Sequence, residues 1–212
     1  MKSPEALIFD LDGTLWDSVD VVVASWNDVL KDYPALARIT REDMLKTMGK
    51  HHLEICEMYF TSLPMAEREA LVNKCYDREV GFMREHPPEL YPGVRQGLER
   101  LRSDFRLGLV SNCQRDYLDF VLDHYGLRGL FGSALCYGDT DQPKGSNITK
   151  ALGELGVTSA FYIGDTLGDQ NAAVEAEVSF GYAAYGFGKV EWFDVAFDSF
   201  TEVVEYFSQG SQ

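Results

Sequence analysis

The chain is poor in the residues that build soft-metal sites and disulfide frameworks. Its 212 residues include only 4 cysteines and 4 histidines. Cys56, Cys75, Cys113 and Cys136 are scattered, with no CxxC pair and no histidine nearby at ligand spacing. They read as small apolar side chains in a reducing compartment, not as a zinc module or a set of bridges. Basic residues are also scarce: 19 Lys and Arg stand against 34 Asp and Glu, for a net charge of −15. That balance opposes electrostatic binding to nucleic acid or to an anionic membrane surface. No stretch approaches the ~20 apolar residues of a membrane-spanning helix. The start, MKSPEALIFDLDG, has just the apolar run Ala6–Phe9 before Asp10, too little for a signal peptide. A cytoplasmic location is the expectation.

What the chain has is core-forming material. Hydrophobic residues make up 45% of the sequence, enough for one large domain or a core carrying an insertion. Ala6–Phe9, Arg106–Val110 and Ala160–Ile163 read as short buried strands, and Ser179–Tyr185 contains a less regular fourth. Between them, Arg115–Tyr125 and Asn147–Leu155 show helical spacing and close at Gly126 and Gly156. Strands alternating with helices predict an α/β fold with a doubly wound parallel sheet, whose chemistry sits at the carboxyl ends of the strands. Those ends are Asp10, Ser111 and Asp165.

The stretch from Ser18 to Leu90 differs. It carries helical patterns over Val19–Leu30, Arg41–Met48, Leu53–Phe60 and Ala66–Arg84, and the breakers of REHPPELYPG return the chain to the sheet. The expected organisation is a core of residues 1–17 and 91–212 with an all-helical insertion of residues 18–90.

The sharpest local feature is Asp10-Leu11-Asp12-Gly13-Thr14, with two carboxylates spaced to share a side at a strand end and a glycine to turn the chain. Asp165 and Asp169, in GDTLGD, follow the third strand. Gathering Asp10, Asp12, Asp165 and Asp169 sets like charges against one another, at about 1 kcal/mol per pair at ~4 Å even in water. Such a cluster takes up protons or holds a cation. An all-oxygen ligand set favours a hard ion, and Mg²⁺ suits phosphate chemistry. Ser111 and Asn112 offer a hydroxyl and backbone N–H groups, and Lys144, in QPKGSN, offers the cation that an acidic chain needs around an anionic substrate.

These motifs, in this order, resemble the haloacid dehalogenase superfamily: LIFDLDGTLWDS its first, LVSNC its second, Lys144 its third and GDTLGD its fourth. The helical insertion, and GYAAYGFG after the last strand, resemble the phosphoglycolate phosphatase and β-phosphoglucomutase branch. The resemblance implies a Rossmann-like core with a helical cap, and phosphoryl transfer. Asp10 would be the nucleophile and form an aspartyl phosphate; Asp12 would be general acid, then base. Mg²⁺ would be held by Asp10, the backbone carbonyl of Asp12 and Asp165, with Asp169 direct or one step removed. Ser111 and Lys144 would hold the phosphoryl group. Relatives commonly carry proline after the lysine, whereas here Gly145 follows and Pro143 precedes. Lys50, His51 and His52 fall where the cap of related enzymes meets substrate, and Asn171 is a further candidate contact.

The leading expectation is a Mg²⁺-dependent phosphatase of a small phosphorylated metabolite, acting as a monomer or homodimer. A β-phosphoglucomutase-like mutase is the nearest alternative. A dehalogenase is disfavoured by Asp12 and GDTLGD, and a helical cap in this position disfavours a protein substrate. A non-catalytic phospho-ligand-binding protein is the alternative from another class.

Overall fold

Four apolar runs that cannot face water on either side must be covered by helices, and the chain arranges them so. In a computed structural model describing residues 4–50 and 52–209, the chain separates into two compact units, Met1–Asp17 with Leu90–Gln212, and Ser18–Glu89.

The first unit is a six-stranded sheet. Its strands are β1 (Ala6–Phe9), β2 (Arg106–Ser111), β3 (Ser133–Cys136), β4 (Ala160–Gly164), β5 (Ser179–Ala183) and β6 (Val195–Phe197). All pairings are parallel, in the order β3-β2-β1-β4-β5-β6. The register sets Phe9 beside Leu109 and Ile163, so the carboxyl ends of β1, β2 and β4 are level. The chain runs outward from β1 through β2 to β3, then returns to lay β4 on β1's other side. That reversal puts the switch point, where doubly wound sheets open a crevice, between β1 and β4.

Both sheet faces are covered. On one, Ile8, Val110 and Tyr162 pack with Ile148, Ala151 and Ala173 of helices in Lys144–Leu155 and Leu167–Glu175. On the other, the ring of Phe9 lies 5.9 Å from Phe200 and that of Phe161 5.2 Å from Phe207, both rings belonging to the C-terminal helix Phe200–Gln209.

The second unit holds α1 (Val19–Val29), α2 (Arg41–Leu45), α3 (His52–Met58) and α4 (Met65–Glu85). Its centre is Trp26, nearly fully buried, which donates its indole N–H to Glu79 at 2.5 Å and meets Tyr59 and Tyr76 edge-on. The remaining helices, in chain order, are α5 (Val94–Leu101), α6 (Arg115–His124), α7 (Tyr137–Thr140), α8 (Lys144–Leu155), α9 (Leu167–Glu175) and α10 (Phe200–Gln209). Among the described residues no helix is long and apolar enough to cross a membrane.

Two sequence expectations need correction. The helix expected over Asn147–Leu155 starts three residues earlier: α8 begins at Lys144, with Pro143, extended at ψ 154°, as its N-cap. β3 and β6 extend the sheet beyond the expected strands; four and three residues long, they are too short to print a pattern.

Candidate active site

Asp10 leaves β1 with its backbone N–H still bonded to Ile163 of β4, at 2.8 Å, so the sheet aims this carboxylate. The chain then turns sharply. Leu15 N–H returns to Leu11 at 2.8 Å, and Gly13, at φ +83°, donates to Trp16 at 2.9 Å. Glycine is required there: a Cβ on Gly13 would stand 2.2 Å from Oδ2 of Asp165. Gly186 crowds the same side chain, its notional Cβ 2.4 Å from Cβ of Asp165. Two glycines thus let three backbone segments close on one aspartate.

Asp165 follows β4. Its Oδ2 accepts the backbone N–H of Phe187 at 2.7 Å, whereas its buried Oδ1 has no hydrogen-bond partner. Asp169 sits at the third position of α9 and completes a capping box with Thr166. Its Oδ2 accepts from Thr166 Oγ1 at 2.6 Å and from two backbone N–H groups. Its Oδ1 accepts from Lys144 Nζ at 2.6 Å and from the Tyr162 hydroxyl at 3.2 Å. Lys144 also donates to Asp10 Oδ1 at 2.8 Å, so one buried ammonium joins two buried carboxylates.

Asp10, Asp165 and Asp169 each bring an oxygen within 4.8 Å of the others, all buried. Burial first, then the charge of Asp169, push Asp10 up to about 7 against the pull of Lys144. Burial, with Asp169 and Asp10 beside it, drives Asp165 well above the carboxylate range. Burial acts on Asp169 in the same sense, but Lys144 and Thr166 outweigh it and leave that group low. Burial pulls the Lys144 ammonium down, and the two carboxylates override it, leaving it raised. One ammonium therefore neutralises only part of the cluster, and the partnerless Asp165 Oδ1 is where positive charge is missing. An oxygen-only group of this size, with an unsatisfied buried acceptor, fits a hard divalent cation.

The other sequence candidates fall as follows. Ser111 ends β2, is buried, and its Oγ accepts the N–H of Cys113 at 3.3 Å; Asn112 follows, half-buried. The carboxylate of Asp12 is outside the three-aspartate group, its Oδ1 accepting from Trp16 Nε1 at 2.9 Å and the Tyr117 hydroxyl at 2.6 Å. Asn171 is exposed on α9. Lys50 and His52 belong to the helical unit, where Lys50 pairs with Glu54 at 3.5 Å and His52 lies 3.5 Å from the Cys56 sulfur. His51 lies outside the described residues. Sequence reasoning missed Tyr162, Tyr117, Thr166 and the N–H of Phe187. Thr166 had a signal, a capping-box pattern with Asp169; a backbone donor such as Phe187 has none.

Residues 7–183 match the haloacid dehalogenase-like hydrolases. The chain belongs to that family. A phosphoglycolate phosphatase of Xanthomonas campestris is 30% identical, over 88% of this chain and 86% of its own length. The pyrophosphatase PpaX of Bacillus velezensis is 27% identical, over 82% and 81%. A solved structure from Lactobacillus plantarum, 25% identical, superposes with a TM-score of 0.83 over 96% of this chain and 99% of that one. This member of the haloacid dehalogenase-like hydrolases is an enzyme of phosphatase type, built on the family's Rossmann-like core.

Proposed function

We propose that the protein hydrolyses a small phosphate monoester, of phosphoglycolate or sugar-phosphate type, through an aspartyl phosphate on Asp10, with Mg²⁺ bound. The observation that carries this reading is the buried Asp10–Lys144–Asp169 triad beside the partnerless Oδ1 of Asp165. Lys144 fixes Asp10 by one oxygen, which orients the carboxylate at the sheet's switch point. A carboxylate oxygen of Asp10 attacks phosphorus, and the bond from phosphorus to the alcohol oxygen breaks. Asp12 gives that oxygen a proton, then takes one from the water that releases phosphate. Ser111, the N–H of Asn112 and Lys144 are the proposed holders of the phosphoryl oxygens.

The cation would be held by Asp10, Asp165 and the backbone carbonyl of Asp12. Both oxygens of Asp169 are already engaged, so its proposed part is to orient Lys144 and the loop rather than to ligate directly. Bound there, Mg²⁺ supplies positive charge to the transferring phosphoryl group.

The test is phosphate release from p-nitrophenyl phosphate and a panel of phosphorylated metabolites, including phosphoglycolate, with pyrophosphate as a comparison. Release is expected only with Mg²⁺, and Asp10→Asn abolishes it. Unchanged turnover in that variant would remove Asp10 as nucleophile.

A further inference from the structure

Asp12 carries a set of fixed partners that the reaction above leaves unused. Its Oδ1 accepts the indole N–H of Trp16 at 2.9 Å and the hydroxyl of Tyr117 at 2.6 Å. Trp16 is fully buried and Tyr117 is 5% exposed. Their rings meet edge-on at 5.5 Å, and Tyr125 also meets Trp16 edge-on, at 5.9 Å. Neither ring can leave without opening the core, so both donor atoms are fixed points. Trp16 comes from the turn that follows Asp12; Tyr117 comes from α6, the helix that follows the Ser111 strand. The clamp therefore ties the first motif to the second.

We propose that Trp16 and Tyr117 are positioning residues which, by occupying Oδ1, assign the transferable proton of Asp12 to Oδ2. The proposal rests on Asp12 being the general acid. A carboxyl oxygen that accepts two hydrogen bonds has its in-plane lone pairs engaged, so Oδ1 does not carry the proton. In the first half-reaction the Oδ2–H bond breaks, the proton passes to the departing alcohol oxygen, and the charge left on the carboxylate is met at Oδ1 by the two donors. In the second, Oδ2 takes a proton from water as the water oxygen bonds to phosphorus. The clamp thus contributes where the leaving group needs a proton. An alkyl alcohol needs one; p-nitrophenolate, stable as an anion, does not.

The experiment compares kcat/KM on an alkyl phosphate and on p-nitrophenyl phosphate, since this ratio reports the steps up to departure of the alcohol. Four proteins are compared: unaltered, Tyr117→Phe, Asp12→Asn and the double variant. Tyr117→Phe removes one oxygen and keeps the ring, and a thermal melt checks that it is folded. General acids contribute about 10²–10⁴-fold, so loss of one positioning donor is expected to lower kcat/KM about tenfold on the alkyl substrate. On the aryl substrate the change is expected to stay below about twofold. Added to Asp12→Asn, the same substitution is expected to do nothing further. Trp16→Phe should show the same selectivity.

Equal loss on both substrates, or an undiminished effect in the Asp12→Asn background, overturns the clamp. Asp12→Asn alone reads the underlying assignment. If its loss is the same for both substrates, Asp12 is not the acid and the proposal falls with it. If its loss is selective while that of Tyr117→Phe is not, only the clamp falls.

Discussion

Lys144 is one ammonium shared between two buried carboxylates, at 2.8 Å from Asp10 and 2.6 Å from Asp169. Removing one member of such a group leaves charge buried without compensation, which typically costs about 3–5 kcal/mol. Lys144→Met is therefore expected to lower unfolding free energy by about that much in urea denaturation, and to stop phosphate release. Asp10→Asn leaves the Lys144–Asp169 pair intact, so its stability loss is expected to be clearly smaller although its activity loss is as complete. Equal destabilisation by the two would contradict the shared-ammonium account. From the residues alone Lys144 stood out as the cation for the site, but its two carboxylate partners did not. Its partner Asp10 is 134 positions away, and no local pattern reports such a contact.

At the level of elements, the site depends on how closely three segments approach Asp165. The turn after β1, the start of α9 and the Gly186–Phe187 stretch after β5 all converge on it. Gly13→Ala places a methyl group against Asp165 and forces an L residue to φ +83°. The backbone cost alone is about 1–2 kcal/mol. Displacing Asp165 is further expected to raise the Mg²⁺ concentration for half-maximal activity about 10–100-fold, as when the support of a metal ligand is altered. A Mg²⁺ titration of phosphate release checks this, and an unchanged midpoint would mean that Asp165 does not hold the ion. The two aspartate motifs were legible because each ends an apolar strand run with paired carboxylates, in an order that resembles the family's motifs. The short strands β3 and β6, and the backbone donor of Phe187, were not legible, because their roles are set by neighbours and not by side-chain type.

For the whole molecule, the cluster couples stability to pH and to the cation. Without a cation, Asp10 and Asp165 keep protons to higher pH in the folded state than in the unfolded chain. Their contribution to stability is thus complete below the ordinary carboxylate value of about 4; that of Asp10 is lost as pH rises through about 7, and that of Asp165 as pH rises through its own raised value. Asp169, held low, contributes above pH ~4 and stays level across that window. A bound cation replaces those protons, and protons compete with it at low pH. The rise in Tm produced by Mg²⁺ is therefore expected to be larger at pH 8 than at pH 5, and equal rises would count against a cation at the aspartates. The doubly wound sheet and the helical insertion were legible in outline, since buried parallel strands read as short apolar runs and helices show their spacing in the sequence.

The same strand order has a consequence in time. β1 is made first, but its neighbours in the sheet, β2 and β4, come roughly a hundred residues or more later, with the whole helical unit translated between them. At about 5–20 residues per second, Asp10 waits on the order of ten seconds for Lys144 to leave the ribosome. Until then its carboxylate is an ordinary solvated acid with neither partner nor raised affinity for protons. The proposed nucleophile is consequently without its ammonium until Lys144 and its helix emerge.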